Sequence, residues 1–147
     1  MMKERFETFT VLINKISRNI KKLKNQEMAE YALRSTHVSC LYYLYIADSL
    51  TATELCERCE EDKATISRAL DFLEENGFCF CESKSSKRYN SPIMLTEKGR
   101  MVGQEISNKI NRILDEVGIG LTDKERIEFY RCLAIICDNL EKAMNND

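Results

Sequence analysis

Between Phe6 and Leu23 the apolar residues fall at Phe6, Phe9, Ile13, Ile16, Ile20 and Leu23, in alternating steps of three and four. That spacing brings one line of side chains back to the same side at every turn. It predicts a helix with a narrow seam that packs against another helix. Lys15, Arg18, Lys21 and Lys22 occupy the opposite side. After Thr36, which reads as an N-cap, the run Leu41-Tyr42-Tyr43-Leu44-Tyr45-Ile46-Ala47 is apolar on most sides and predicts a deeply placed helix. Thr51 and Glu54 then have the spacing of a capping box, opening a short helix that ends near Cys59. Asp62 is a second N-cap for a helix from Lys63 to Asn76. Gly77 closes it, because glycine adopts the left-handed conformation of a helix end at low cost. On that helix Ile66, Ala69, Leu70 and Leu73 form the buried stripe. Lys63, Ala64, Thr65, Ser67 and Arg68 remain outward near its start.

The period then changes. Phe78-Cys79-Phe80-Cys81-Glu82 reads as a strand, Ser83 to Asn90 as a polar turn carrying Lys84, Lys87 and Arg88, and Ser91-Pro92-Ile93-Met94-Leu95 as the return strand. Thr96 caps a helix with apolar residues at Val102, Ile106, Ile110, Ile113, Leu114 and Val117, which breaks at Gly118-Ile119-Gly120. Thr122 and Glu125 repeat the capping-box spacing before a last helix. Ile127, Tyr130, Leu133, Ala134, Cys137, Leu140 and Met144 share one of its faces, while Phe129 and Ile136 lie off it. The first and last helices therefore carry more apolar surface than one small domain covers, which points to a homodimer. The expected architecture is mainly α with a small β-hairpin wing. It is one domain over 1–147, with dimerisation helices at 1–34 and 101–147 and a winged helix-turn-helix lobe at 36–100.

Composition narrows the class. The chain has 147 residues, 44% hydrophobic and 31% charged, enough for one core. Charge interrupts the N-terminus, and no run of about eighteen apolar residues occurs, so a secretory leader or membrane span is not expected. Seven cysteines beside five glycines and one proline do not describe a disulfide scaffold; reduced thiols in a cytoplasm fit better. The net charge of −2 opposes phosphate binding in sum, and residues 51–100 hold eight Lys/Arg against ten Asp/Glu. Affinity for nucleic acid thus requires the cations to gather on one face. An enzyme is not expected: there is one histidine, no nucleophile-base set, no glycine-rich phosphate loop and no paired carboxylates, and no cofactor is implied.

Short capped helix, turn, longer capped helix and cationic hairpin is an order suited to double-stranded DNA. A helix about 10–12 Å across fits the roughly 12 Å major groove, and its first turns reach the base edges. Small Ala64, Thr65 and Ser67 let the helix sink in, and Arg68 is long enough to offer its fork to a guanine. Candidate DNA contacts are Thr51, Thr53, Lys63, Ala64, Thr65, Ser67, Arg68, Lys84, Lys87 and Arg88. Leu50-Thr51-Ala52-Thr53-Glu54-Leu55, Asp62 to Arg68, Leu73 to Phe78, and Ser91 to Arg100 together resemble the MarR family of bacterial regulators. The resemblance implies a dimer built from the terminal helices, a pseudo-palindromic operator, and release by a small molecule or an oxidant. It also implies base and phosphate contacts from Thr65, Ser67 and Arg68, with the wing in the minor groove. The wing departs from the family's Asp-x-Arg, since Lys87-Arg88-Tyr89 stands in that place.

The family's effector pocket lies between the tyrosine-rich helix, the N-terminal helix and the helix after the wing, which makes Tyr42, Tyr43, Tyr45 and His37 its candidates. Without a ligand, His37 reads as a surface residue beside a cap, and some of the tyrosines read as core. Cys56-x-x-Cys59 followed by Cys79-x-Cys81 raises a zinc site, but Cys56 and Cys59 fall on the buried side with Leu55, where cysteine packs as a small hydrophobe. Cys79 and Cys81 share one strand face. Cys81 and Cys40 are the redox candidates. Two alternatives therefore stand beside the small-molecule-controlled DNA binder: a thiol- or metal-responsive regulator of the same fold, and a winged-helix protein-interaction module that does not bind DNA.

Overall fold

The computed structural model describes residues 2–82 and 90–145 and divides the chain into two units, one through Lys109 and one from Ile110 onward. The first unit begins with α1 (Met2–Phe6), a π-helical turn (Glu7–Leu12) and α2 (Ile13–Glu27). The sequence predicted one seam through this stretch. The wider winding of the π turn changes its phase between Phe9 and Ile13, and Thr10 Oγ1 donates to the Phe6 carbonyl within the same stretch.

A short 3₁₀ turn (Ala29–Tyr31) and Ala32, at φ 58°, lead to α3 (Ser35–Ala47). Its start corrects the expected Thr36 cap. The helix begins one residue earlier, with Thr36 already inside it, because two other side chains take its first donors. The Ser35 N–H donates to Asn25 Oδ1 at 2.6 Å, and the Arg34 N–H donates to His37 Nδ1 at 3.0 Å. Next come β1 (Ser49–Leu50), α4 (Ala52–Cys59), α5 (Lys63–Glu75), β2 (Cys79–Cys81), β3 (Ile93–Leu95) and α6 (Glu97–Val117). The strands form an antiparallel sheet in the order β1-β3-β2, pairing Leu50 with Ile93 and Cys79 with Leu95. β1 is a third strand that the sequence reading lacked; two residues are too few to show a period.

Val38, Cys40, Leu41 and Leu44 of α3 meet Leu55 of α4, the α5 stripe Ile66, Ala69, Leu70 and Leu73, and Phe78, Ile93, Val102 and Ile106 in one buried core. Burying a Leu or Ile side chain is worth roughly 1.5–3 kcal/mol. This set therefore fixes α5 against the rest of the unit while one of its sides stays in solvent. The second unit holds the last turns of α6 and α7 (Asp123–Asn145). The capping box predicted for α7 is present: the Glu125 N–H donates to Thr122 Oγ1 at 3.1 Å, and the Thr122 N–H to Glu125 Oε2 at 2.8 Å.

Candidate nucleic-acid interface

The turn between α4 and α5 is specified at both ends. Thr51 caps α4, its Oγ1 accepting from the Glu54 N–H at 3.2 Å, while the Thr51 N–H and hydroxyl both donate to Glu54 Oε1. The Thr51 hydroxyl is thus engaged in the cap, and Thr53 beside it is exposed. α4 ends where Glu60 takes a left-handed φ of 54° and the Glu61 N–H donates to the Cys56 carbonyl. Asp62 then caps α5, accepting from the Thr65 N–H at 2.7 Å. That hydrogen bond, with lesser help from Arg68, holds its carboxyl below the usual range.

From this start α5 turns Ile66, Ala69, Leu70 and Leu73 inward. Lys63, Ala64 and Arg68 are exposed, with Thr65 and Ser67 half-buried at the edge of the same surface. Arg68 Nη2 lies 3.4 Å from Thr65 Oγ1 and close to the Asp62 carboxylate, so the guanidinium rests back over the first turn of the helix. The five outward positions read from the sequence therefore lie together on one helix end, where the helix dipole favours an anion.

The far end of α5 is tied down by Lys98 and Gly99, which the sequence reading did not single out, together with Thr96, which it expected only as the cap of the next helix. Lys98 Nζ donates to the Asn76 carbonyl at 2.8 Å and sits 4.3 Å from the centre of the Phe78 ring. Thr96 Oγ1 donates to the Gly77 carbonyl at 2.6 Å and accepts from the Gly99 N–H at 3.0 Å. Gly99 passes so near the chain entering β2 that a Cβ there would lie 1.9 Å from the Phe78 carbonyl oxygen. The Thr96-Glu97-Lys98-Gly99 segment is thus a clasp joining the end of α5 to the start of α6.

Lys84, Lys87 and Arg88 of the expected wing lie outside the described residues. Tyr42, Tyr43, Tyr45 and His37 all lie on α3 and are half-buried. None of the three tyrosines is fully buried, which corrects the expectation that some are core: Leu41 and Leu44 of the same helix fill that place. Tyr42 and Tyr43 meet edge to face with centroids 5.5 Å apart, and Tyr45 packs under Gly103. His37 is half-buried rather than on the surface, because its ring stacks on Phe72 of α5 at 4.3 Å. Burial first, then the nearby Arg34 charge, lowers its pKa from 6.5. An open pocket of about 270 Å³ is lined by Tyr31, Lys98, Met101, Val102 and Glu105, with the Tyr31 hydroxyl donating to Glu105 at 2.8 Å.

Cys40 is fully buried, Cys56 and Cys59 are half-buried, and Cys79 and Cys81 alternate with exposed Phe80 as one strand face requires. Among the described residues no three His, Cys, Asp or Glu side chains are grouped so as to hold a metal ion.

Comparison with known proteins agrees with this geometry. A family model described as the MarR family matches residues 33–87. An uncharacterized HTH-type transcriptional regulator of Bacillus subtilis (strain 168), YwoH, is 26% identical over 117 residues, covering 80% of this chain and 85% of that protein. A MarR-family transcriptional regulator from Silicibacter pomeroyi superposes with a TM-score of 0.75 at 27% identity, covering 87% of this chain and 86% of that one. S. aureus MepR, solved as a complex with DNA, shares the fold with a TM-score of 0.79 at 19% identity, over 90% of this chain and 97% of that one. Over residues 33–87, which hold the capped α4-turn-α5 pair, the chain matches the MarR family of transcriptional regulators, and its fold is similar to that of MarR-family structures.

Proposed function

We propose that this chain is a cytoplasmic, sequence-specific DNA-binding repressor that acts as a homodimer on a pseudo-palindromic operator and is released by a small-molecule effector. The observation that carries the reading is the exposed N-terminal end of α5. Lys63, Ala64 and Arg68 are presented by a helix whose other side is locked into the core, with Thr65 and Ser67 at the edge. Such a helix can enter the major groove without rearranging the fold, and MepR, which shares that fold, is known in complex with DNA. The few cations make the term per subunit small, so two copies with half-sites about one helical turn apart supply the rest. The open pocket beside Tyr31 and Glu105 offers a small ligand a place in the same unit. No described helix is long and apolar enough to cross a membrane.

Binding to the DNA upstream of the chain's own gene, followed by fluorescence anisotropy across a salt series, tests the reading. Affinity should fall linearly with salt on logarithmic axes, and Arg68→Ala should lose roughly 1–3 kcal/mol if its fork reads a base. Equal affinity for scrambled DNA, unaffected by Arg68→Ala, would leave a winged-helix module that binds protein instead.

A further inference from the structure

Along α5 the residues Thr65, Arg68 and Phe72 follow one another at steps of three and four, so they share one side of the helix. The first two belong to the end that meets DNA in the proposed function. Phe72 is half-buried beside the core stripe Ile66, Ala69, Leu70 and Leu73. Its ring lies face to face with that of His37 on α3, with centroids 4.3 Å apart and planes 14° from parallel. Apolar contact along one stripe is not directional, so it resists separation of two helices better than rotation of one about its axis. A ring stack at the edge of the stripe supplies the missing constraint. Turning α5 about its axis would slide Phe72 off the His37 ring, and Arg68 would swing with it.

His37 can act as a fixed wall because its own ring is held. Its Nδ1 accepts the Arg34 N–H at 3.0 Å, which leaves the ring proton on Nε2, and the Ser35 N–H is taken by Asn25 Oδ1 of α2 at 2.6 Å. The charged side chains on the elements around the ring are Arg34 at the head of α3, Lys24 near the end of α2, and Arg68, Asp71 and Glu75 on either side of Phe72 along α5. Burial, and after it the Arg34 charge, hold the pKa of the ring below 6.5. A charged ring keeps an attraction for the face of Phe72, but it can no longer accept from Arg34 and so leaves the place where the stack is fixed.

We propose that neutral His37 is a positioning residue for the recognition helix: held by the Arg34 N–H, it fixes Phe72 and thereby the rotation of α5 that presents Arg68 to the groove. His37 itself touches no DNA in this assignment, which rests on α5 being the DNA-binding helix. Two consequences separate this role from that of a ring that only fills space. Protonation of His37 displaces α5 in the free chain. Specific DNA, which selects the placed helix, favours the neutral ring, and by linkage affinity falls as the ring takes up a proton.

His37 is the chain's one histidine, so its Cε1–H gives a single proton NMR signal to follow with pH. In the full chain its midpoint should lie below 6.5, and the backbone amide signals of α5 from Arg68 to Glu75 should shift with the same midpoint. Phe72→Ala should return the midpoint toward 6.5 and uncouple those amides from it. Adding the duplex that the chain binds upstream of its gene should lower the midpoint by about half a pH unit, equivalent to an affinity about threefold weaker once the ring is charged in both states. His37→Gln keeps an acceptor for the Arg34 N–H but has no ring to titrate, so its affinity should not change over that range. Arg68→Ala should bind more weakly yet keep the wild-type pH dependence. Amides of α5 that ignore the His37 midpoint, or a His37→Gln chain with the wild-type pH dependence of binding, would overturn the assignment. If no duplex is bound specifically, the proposed function fails, and the amide titration of the free chain still decides whether His37 places α5.

Discussion

His37 joins two elements through one ring. Its Nδ1 accepts the Arg34 N–H at the start of α3, so the ring must be deprotonated there, and its face stacks on Phe72 of α5. Protonation would turn the acceptor into a donor facing a donor, beside the Arg34 charge and with the ring partly out of water. The pKa of His37 is accordingly lowered in the folded chain, and an unfolded chain with the ordinary value of 6.5 takes up the proton first. In that window the unfolded state binds more protons, so stability falls as pH drops below about 6.5 and stops changing once the folded ring is also protonated. Urea midpoints at fixed protein concentration should therefore decline between about pH 7.5 and 5.5. His37→Gln, which cannot titrate, should flatten that decline; an unchanged slope would assign it to other groups. The sequence placed His37 next to a cap, but not against Phe72, because a contact 35 positions away leaves no mark on local spacing.

At the scale of elements, the recognition helix depends on the clasp that holds its end. A methyl group on residue 99 would overlap the Phe78 carbonyl oxygen at 1.9 Å and its carbon at 2.9 Å, and both are backbone atoms of the residue that leads into β2 and cannot easily move. Gly99→Ala should cost about 1–3 kcal/mol by overpacking, read from urea unfolding, and should weaken DNA binding as α5 loosens. Gly103→Ala meets the Tyr45 side chain at 2.9 Å and should cost less; the reverse order would mean that the close approach to Phe78 is not what Gly99 serves. What was legible in the sequence was whatever repeats or caps within a few residues. Thr51, Asp62, Thr96 and Thr122 cap as expected, and Ile66, Ala69, Leu70 and Leu73 are all buried. What was not legible depends on neighbours distant in the chain. β1 exists because β3 pairs with it, and α3 starts early because Asn25 reaches its first N–H. The outward face of α5 was readable because a helix with one buried stripe must present the other.

For the molecule as a whole, the unsatisfied quantity is apolar surface. In the first unit Phe6, Ile16 and Ile20 are exposed at 66%, 51% and 49%. In the second, no described residue of α7 is buried, with Ile127 at 64%, Tyr130 at 49% and Leu140 at 46%. Single exposed leucines are ordinary, but apolar positions recurring along a 23-residue helix are the mark of an interface. A second copy of the chain is the occupant we propose, because a two-fold pair also supplies the second α5 that a pseudo-palindrome requires. Sedimentation equilibrium should then give twice the 17.1 kDa of one chain. Replacing Ile127 and Leu140 together by Glu puts two charges where apolar contact is needed. The first unit has its own core, so it should stay folded by circular dichroism while the mass falls to that of one chain. DNA affinity should fall by about 10²-fold or more, because the second half-site is no longer held at high effective concentration. A double variant that stays dimeric would move the interface off α7, and one that is monomeric yet binds DNA as tightly would show that a single α5 and its few cations suffice.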